Sequence, residues 1–196
     1  MRTARSRLAA AFAATLLSLL APAGARATSV LALDLDAIVA AARHVVHVRC
    51  VGNEVQADPA VGAVTVTTFV VLDRAKGSGD ATFAVRQAGG ELDGMVIDYR
   101  VPSFRVGDEY VLFVPAPSQL GLASPVGLTQ GVFGVVAGRT GQDVGNGQDF
   151  AELLPRDRRG DLPAGIAARL GGDRTERLRV SLADFMTLVR AKARGR

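Results

Sequence analysis

The run Tyr110 to Val114 constrains what this chain can fold into more than any other stretch. It is unbroken in its apolar character, Gly107 and Asp108 supply a turn ahead of it, and Pro115 stops it. A run this short, rich in β-branched and aromatic residues, reads as a buried strand rather than a helix. A buried strand needs partners, and several apolar stretches before and after it have strand composition. The expectation is a β-rich domain assembled around this segment.

The chain starts with a different kind of sequence. Arg2, Arg5 and Arg7 precede an apolar stretch from Leu8 to Leu20, and Ala25-Arg26-Ala27 offers a small-x-small cleavage site before Thr28. This succession predicts a signal peptide over 1–27 and a periplasmic or secreted mature protein. The competing reading, a retained anchor, needs a span of ~20 apolar residues, and this stretch is shorter. No stable membrane anchor is therefore expected after cleavage. Four of the 23 Lys and Arg residues leave with the signal, so the mature chain is left with 19 against 19 acidic residues. The basic character of the whole chain is thus no nucleic-acid footprint.

Along the mature chain, Asp34 can cap a first helix whose apolar stripe is Leu35, Ile38, Val39 and Ala42. From Val45 the pattern alternates, with Val46, Val48 and Cys50 on one face and His47 and Arg49 on the other. Cys50 stands alone in the chain, so no internal disulfide forms, and it reads as a small buried hydrophobe. Val64, Val66, Val70 and Leu72 are expected to share the inward face of the next strand. Lys76 to Asp80 then turns, and Phe83 and Val85 point inward from a further strand. The longest loop runs from Ala88 to Ser103. Val126 to Ala137 has strand composition interrupted by glycines, and Gly141 to Gly147 reads as a hairpin tip or linker. Ser181, with Asp184 three residues on, marks a last helix carrying Leu182, Phe185, Met186 and Val189. The expected division is a β-barrel domain over 28–138 and an Arg-rich tail with a C-terminal helix over 139–196. The fold class is mainly β, a small five- or six-stranded barrel with a helix at each end.

Two segments give that barrel a likeness. Thr68 to Gly77, TFVVLDRAKG, followed by Phe104 to Val114, FRVGDEYVLFV, resembles the netrin-like module, an OB-type barrel found in tissue inhibitors of metalloproteases. There too a strand runs into a Lys-Gly turn, and a later Gly-x-x-Tyr introduces an apolar strand. The pattern is also similar to uncharacterised exported bacterial proteins that carry Gln-Gly-x-Phe, here Gln130-Gly131-Val132-Phe133. The resemblance implies an OB-like barrel and, as a partner, an exported protein such as a metalloprotease. It does not carry the inhibitors' zinc-chelating N-terminal cysteine, because Thr28 is the expected first residue and Cys50 is alone.

Chemistry-bearing patterns are sparse. His44, His47 and Cys50 have metal-like spacing, but in a strand His44 and His47 point to opposite faces and cannot share one ion, so His47 is expected to be exposed. No G-x-S-x-G occurs, and OB-type nucleic-acid binding needs exposed aromatics on a basic face, which a chain without Trp and with two Tyr does not offer. No catalytic set, cofactor or metal is expected. An exported hydrolase-type enzyme using His47 or Asp98, and a structural component of the envelope, are the alternatives to a binding module. Barrels bind through loops and rims. Glu91, Asp93 and Tyr99, in the long loop, are the candidate partner-binding residues, forming an acidic rim. Equally, Met95 to Tyr99 can be a further strand, with Tyr99 packed on the domain.

Overall fold

A computed structural model of the protein describes residues 31–160 and 162–195, and the expected signal peptide falls outside them. In chain order the elements are α1 (Leu35–Ala41), β1 (His44–Asp58), β2 (Gly62–Lys76), β3 (Thr82–Ala88), β4 (Gly90–Leu92), β5 (Met95–Ile97) and β6 (Glu109–Val114). There follow β7 (Val132–Ala137), β8 (Gln142–Gly145), α2 (Phe150–Leu153), α3 (Ala164–Leu170), β9 (Val180–Ser181) and α4 (Leu182–Arg194). Seven strands pair antiparallel in the order β3-β2-β1-β6-β7-β8-β9, while β4 and β5 form a separate hairpin. The protein is mainly β, with a seven-stranded antiparallel sheet and a small second one, and no closed five- or six-stranded barrel is found among the described residues. The larger sheet's outer strands, β3 and β9, do not pair with each other among the described residues.

β6 lies in the middle of this sheet, between β1 and β7. Its side chains alternate between two separate cores: Val111 and Phe113 enter one, Leu112 and Val114 the other. Both faces of the strand are covered, which is why its sequence shows no polar alternation. The first core is capped by helices from both ends of the chain. Asp34 Oδ1 accepts a hydrogen bond from Ala37 N at 2.7 Å, and Ser181 Oγ accepts one from Asp184 N at 3.4 Å. Leu35, Ile38 and Val39 of α1 and Leu182, Phe185, Met186 and Val189 of α4 are buried there. Phe185 packs against Phe133 with ring centroids 4.8 Å apart, against Phe150 at 5.8 Å and against Phe113 at 6.2 Å. Lys192 Nζ reaches Asp36 at 2.6 Å and ties the two helices together.

Several expectations change. Val70 and Leu72 are each 41% exposed, not core. Phe69 takes the buried face of β2 instead, since an aromatic ring removes more apolar surface from water than a valine does. Alternation from Phe69 then sends Val70 and Leu72 to the other face. A single barrel would give Leu112 and Phe113 one shared interior, whereas they enter separate cores on opposite faces of β6. His47 is buried rather than exposed, because Glu109 on β6 receives it. Residues 128–131 form a turn of 3-10 helix, so the expected strand over Val126 to Ala137 starts only at Val132. Gly141 to Gly147 contains a strand, β8, joined to β7 by a turn in which Gly138 N donates to Gly141 O at 2.7 Å. Residues 139–196 supply two sheet strands and much of the first core, within one compact unit spanning Ala32–Arg196.

The segments behind the netrin-like resemblance all have packing roles here. Lys76 Nζ donates to Val39 O at 2.7 Å and Ala42 O at 2.6 Å, satisfying carbonyls at the end of α1. Tyr110 stacks edge-on against Phe104 at 5.3 Å, and its hydroxyl accepts from Arg105 N at 3.0 Å. Gln130 Oε1 accepts from Leu33 N at 2.8 Å, and Phe133 is fully buried.

Candidate binding cavity

The second core occupies the sheet face away from α1 and α4. It is built from Val46, Val48 and Cys50 of β1, Phe69 of β2, Val85 of β3, Leu112 and Val114 of β6, and Phe104. Burial pushes the Cys50 thiol above its ordinary value, in keeping with a packing role. Towards the far ends of β1, β2 and β3 the side chains on this face turn polar. Asn53 pairs with Thr67, Thr67 with Val85, and Thr65 with Gln87. Thr67 Oγ1 donates to Asn53 Oδ1 at 2.7 Å, and Asn53 Nδ2 donates to Phe104 O at 2.9 Å. Thr67 and Gln87 are 1% and 2% exposed. Thr67 is satisfied, whereas the amide nitrogen of Gln87 has no partner among the described residues.

A short hairpin roofs this polar floor. Gly89 and Gly90, with φ of 101° and 143°, reverse the chain after β3 and lay β4 close against the sheet. A Cβ on Gly90 would lie 2.7 Å from Val55 Cγ1 and 2.8 Å from Thr65 Oγ1, so only glycine permits that approach. Thr65 Oγ1 fastens the fold-back by donating to Gly89 O at 2.7 Å. Asp93 and Gly94, both with positive φ, form the hairpin tip, as expected for an Asp-Gly turn. Between roof, floor and the segment 98–104 lies a cavity of about 370 Å³. Its walls are mostly apolar (Val96, Ile97, Tyr99, Val101, Pro102 and Phe104), with Gln87 and Thr67 beneath and Glu91 and Asp98 as charged lining residues.

The structure brings two of the three sequence-predicted residues to this cavity. Glu91 and Tyr99 line it and are exposed at its edge. Asp93 sits at the hairpin tip and is not part of the lining. Met95–Ile97 is indeed a strand, yet Tyr99 is 52% exposed, with its hydroxyl 3.4 Å from Val61 O. Sequence reasoning missed Gln87 and Thr67. The available signal was polar residues at inward positions of strands whose other inward positions are apolar.

A second concavity, of about 480 Å³, lies on the α4 side and includes His47, Asp73, Gln142, Ser181 and Arg190. His47 Nε2 is 3.0 Å from Glu109 Oε2, Arg49 Nη2 is 2.7 Å from Glu109 Oε1, and Gln142 Nε2 donates to Glu109 Oε2 at 2.9 Å. Burial alone would raise the Glu109 carboxyl. The hydrogen bonds from Arg49, Gln142 and His47 outweigh it and hold the group below the usual carboxylate value. Asp73 is paired with Arg190. These polar groups satisfy one another, and Ser181 Oγ serves as a helix cap, an arrangement that crosslinks strands and helix.

The molecule is thus defined as an open antiparallel sheet with helices on one face and a hairpin-roofed cavity on the other. Comparison with protein-family models, curated proteins and solved structures found no match.

Proposed function

We propose that the protein is an exported, non-catalytic binding module, periplasmic or secreted, that captures an exported protein such as a metalloprotease and modulates it. The observation that carries this reading is the cavity beneath the β4–β5 hairpin, with mostly apolar walls and the exposed Glu91 and Tyr99 at its edge. A concave site with apolar walls and a few polar groups is the usual form of a binding site. From the netrin-like resemblance the proposal takes the role of a protein-binding domain and an OB-like ancestry for the adjacent strands β1, β2, β3 and β6. Glu91, Asp93 and Tyr99 are assigned to the contacting rim.

The test compares wild type with a Glu91→Ala, Asp93→Ala, Tyr99→Ala triple variant, both immobilised and exposed to the exported protein fraction. One dominant partner is expected on wild type, reduced about tenfold on the variant, a loss of about 1.4 kcal/mol in binding. The thermal midpoints should agree. Equal recovery on both surfaces overturns the assignment of the rim. Hydrolysis is the second reading, resting on the His47–Glu109 pair beside the second concavity. Turnover of ester or peptide substrates that disappears in His47→Gln would establish it over the binding module.

A further inference from the structure

The far ends of β1, β2 and β3 carry a second surface, on the side of the sheet away from the cavity. Asn53, Thr67 and Val85 point to the second-core side. Their neighbours along each strand therefore face the other way, in rows set by the register. Glu54, Val66 and Arg86 form one row, and Gly52, Thr68 and Ala84 the next. Beyond the irregularity between Cys50 and Gly52 comes a row of Arg49, Val70 and Thr82. None of these side chains belongs to the first core, although they share its side of the sheet. Glu54, Val70, Thr82, Ala84 and Arg86 are exposed. A Cβ on Gly52 would meet no described atom within 4 Å, so the space above that row is open.

The rows are complementary to themselves. Take a two-fold axis running along β2 in the plane where two such faces would meet. It lays β2 over its own copy and β1 over the copy's β3, so each row meets the same row reversed. Glu54 then stands over Arg86 of the second copy, and Arg86 over Glu54 of the second copy, with Val66 against Val66 between them. In the next row Gly52 stands over Ala84, two small residues that let the sheets approach closely around Thr68. Arg49 stands over Thr82, so no like charges meet. Glu54 and Arg86 both have capacity to spare. Arg86 Nη2 reaches Asp58 at 3.6 Å with its side chain 43% exposed, and Glu54 Oε1 accepts from Gln56 Nε2 at 2.9 Å.

We propose that this face of β1, β2 and β3 joins two copies of the chain in a weak two-fold dimer, held by apolar contact along β2 and by reciprocal Glu54–Arg86 pairs. A patch three strands wide falls short of the ~800 Å² per partner of a standard interface, so the dissociation constant should be about 100 μM. The β4–β5 cavity lies on the opposite side of the sheet, so the dimer presents two of them.

The experiment follows the mature protein by sedimentation velocity from about 5 μM to about 1 mM, a range that brackets the expected constant. Wild type should pass from monomer to dimer, and added salt should weaken the association. Glu54→Arg and Arg86→Glu should each weaken it at least about tenfold, because each sets like charges face to face. An equimolar mixture of those two variants should associate again. In it, the arginine introduced at 54 meets the glutamate introduced at 86, and the native pair is kept across the other half. Gly52→Gln should abolish association with the thermal midpoint unchanged, since its side chain enters open space in the monomer.

A wild type that stays monomeric at about 1 mM overturns the proposal. So does a mixture that associates no more than its components. A Gly52→Gln variant that dimerises as wild type does also overturns it, the result expected if copies joined edge to edge through β3. Should Arg86→Glu unfold for want of its Asp58 pair, Glu54→Arg and Gly52→Gln still decide, because wild-type association of either one overturns the proposal.

Discussion

The two faces of the sheet are closed by different means. One is covered by α1 and α4, drawn from opposite ends of the chain, with Phe113, Phe133, Phe150 and Phe185 meeting in a fully buried cluster. The other begins as a comparable apolar core around Phe69, Val85 and Phe104, then gives way to Thr67, Gln87 and a roof of three-residue strands. The helices bring many apolar side chains to their face, whereas a short hairpin leaves a cavity with mostly apolar walls at its margin. The lesson is a division of labour: the larger buried core lies on the helical face, and the proposed binding rests on the cavity of the second face.

The largest expected effect lies in the helical face. Phe185→Ala should cost ~3–5 kcal/mol in urea unfolding, because it empties the centre of the aromatic cluster. A smaller loss would mean that the two faces contribute alike. Next, Leu112→Ala, directed at the second core, should cost ~2–5 kcal/mol, while Leu72→Ala, at a 41% exposed site, should cost at most about 1 kcal/mol. Equal losses at Leu112 and Leu72 would contradict the alternation assigned to β2.

An acid titration sharpens the contrast further. The Arg177 guanidinium beside Asp149 holds that carboxyl below its ordinary value, opposed by burial and helped by the amide of Ala151. Glu109 is also lowered, as described above. Both carboxylates bind protons less readily in the folded chain than in the unfolded one. Their stabilisation is complete above about pH 5.5 and is lost as the pH falls through the unfolded and then the folded values. Urea midpoints should therefore decline below about pH 5, and Asp149→Asn should flatten part of that decline. A variant that is equally acid-sensitive would remove the Asp149–Arg177 pair from the account. The smallest effect belongs to the roof: Val96→Ser, at an exposed position, should change stability by about 0.5 kcal/mol or less while weakening partner capture at the cavity it lines.

What could be read from sequence followed the strength of local signals. Asp34 and Ser181 announce their helices because a cap is a one-residue device, and Tyr110 to Val114 announces the central strand because both its faces are buried. Val70 and Leu72 misled, since a valine-rich strand offers apolar residues to either face and only the placement of Phe69 decides between them. The sheet's opening into seven strands was hidden because β8 and β9 are short and glycine- or arginine-flanked. At the cavity, Glu91 and Tyr99 were legible as polar and amphipathic loop residues. Gln87 was not, because its meaning depends on the hairpin folding back over it, and that depends on a Gly89-Gly90 pair that reads only as a turn.

α4 follows every strand of the sheet in sequence, and that order governs how the molecule can be completed. β6 and β7 are made well before Phe185, so Phe113 and Phe133 lack the ring that packs against both until α4 arrives. A nascent chain therefore carries its central strands with one greasy side only partly covered until α4 has emerged, an interval in which exposed apolar strands invite aggregation or a chaperone. Loss of residues 182–195 would not trim an ornament from a finished domain. It would expose the apolar side chains of the first core that Phe185 and its neighbours on α4 cover.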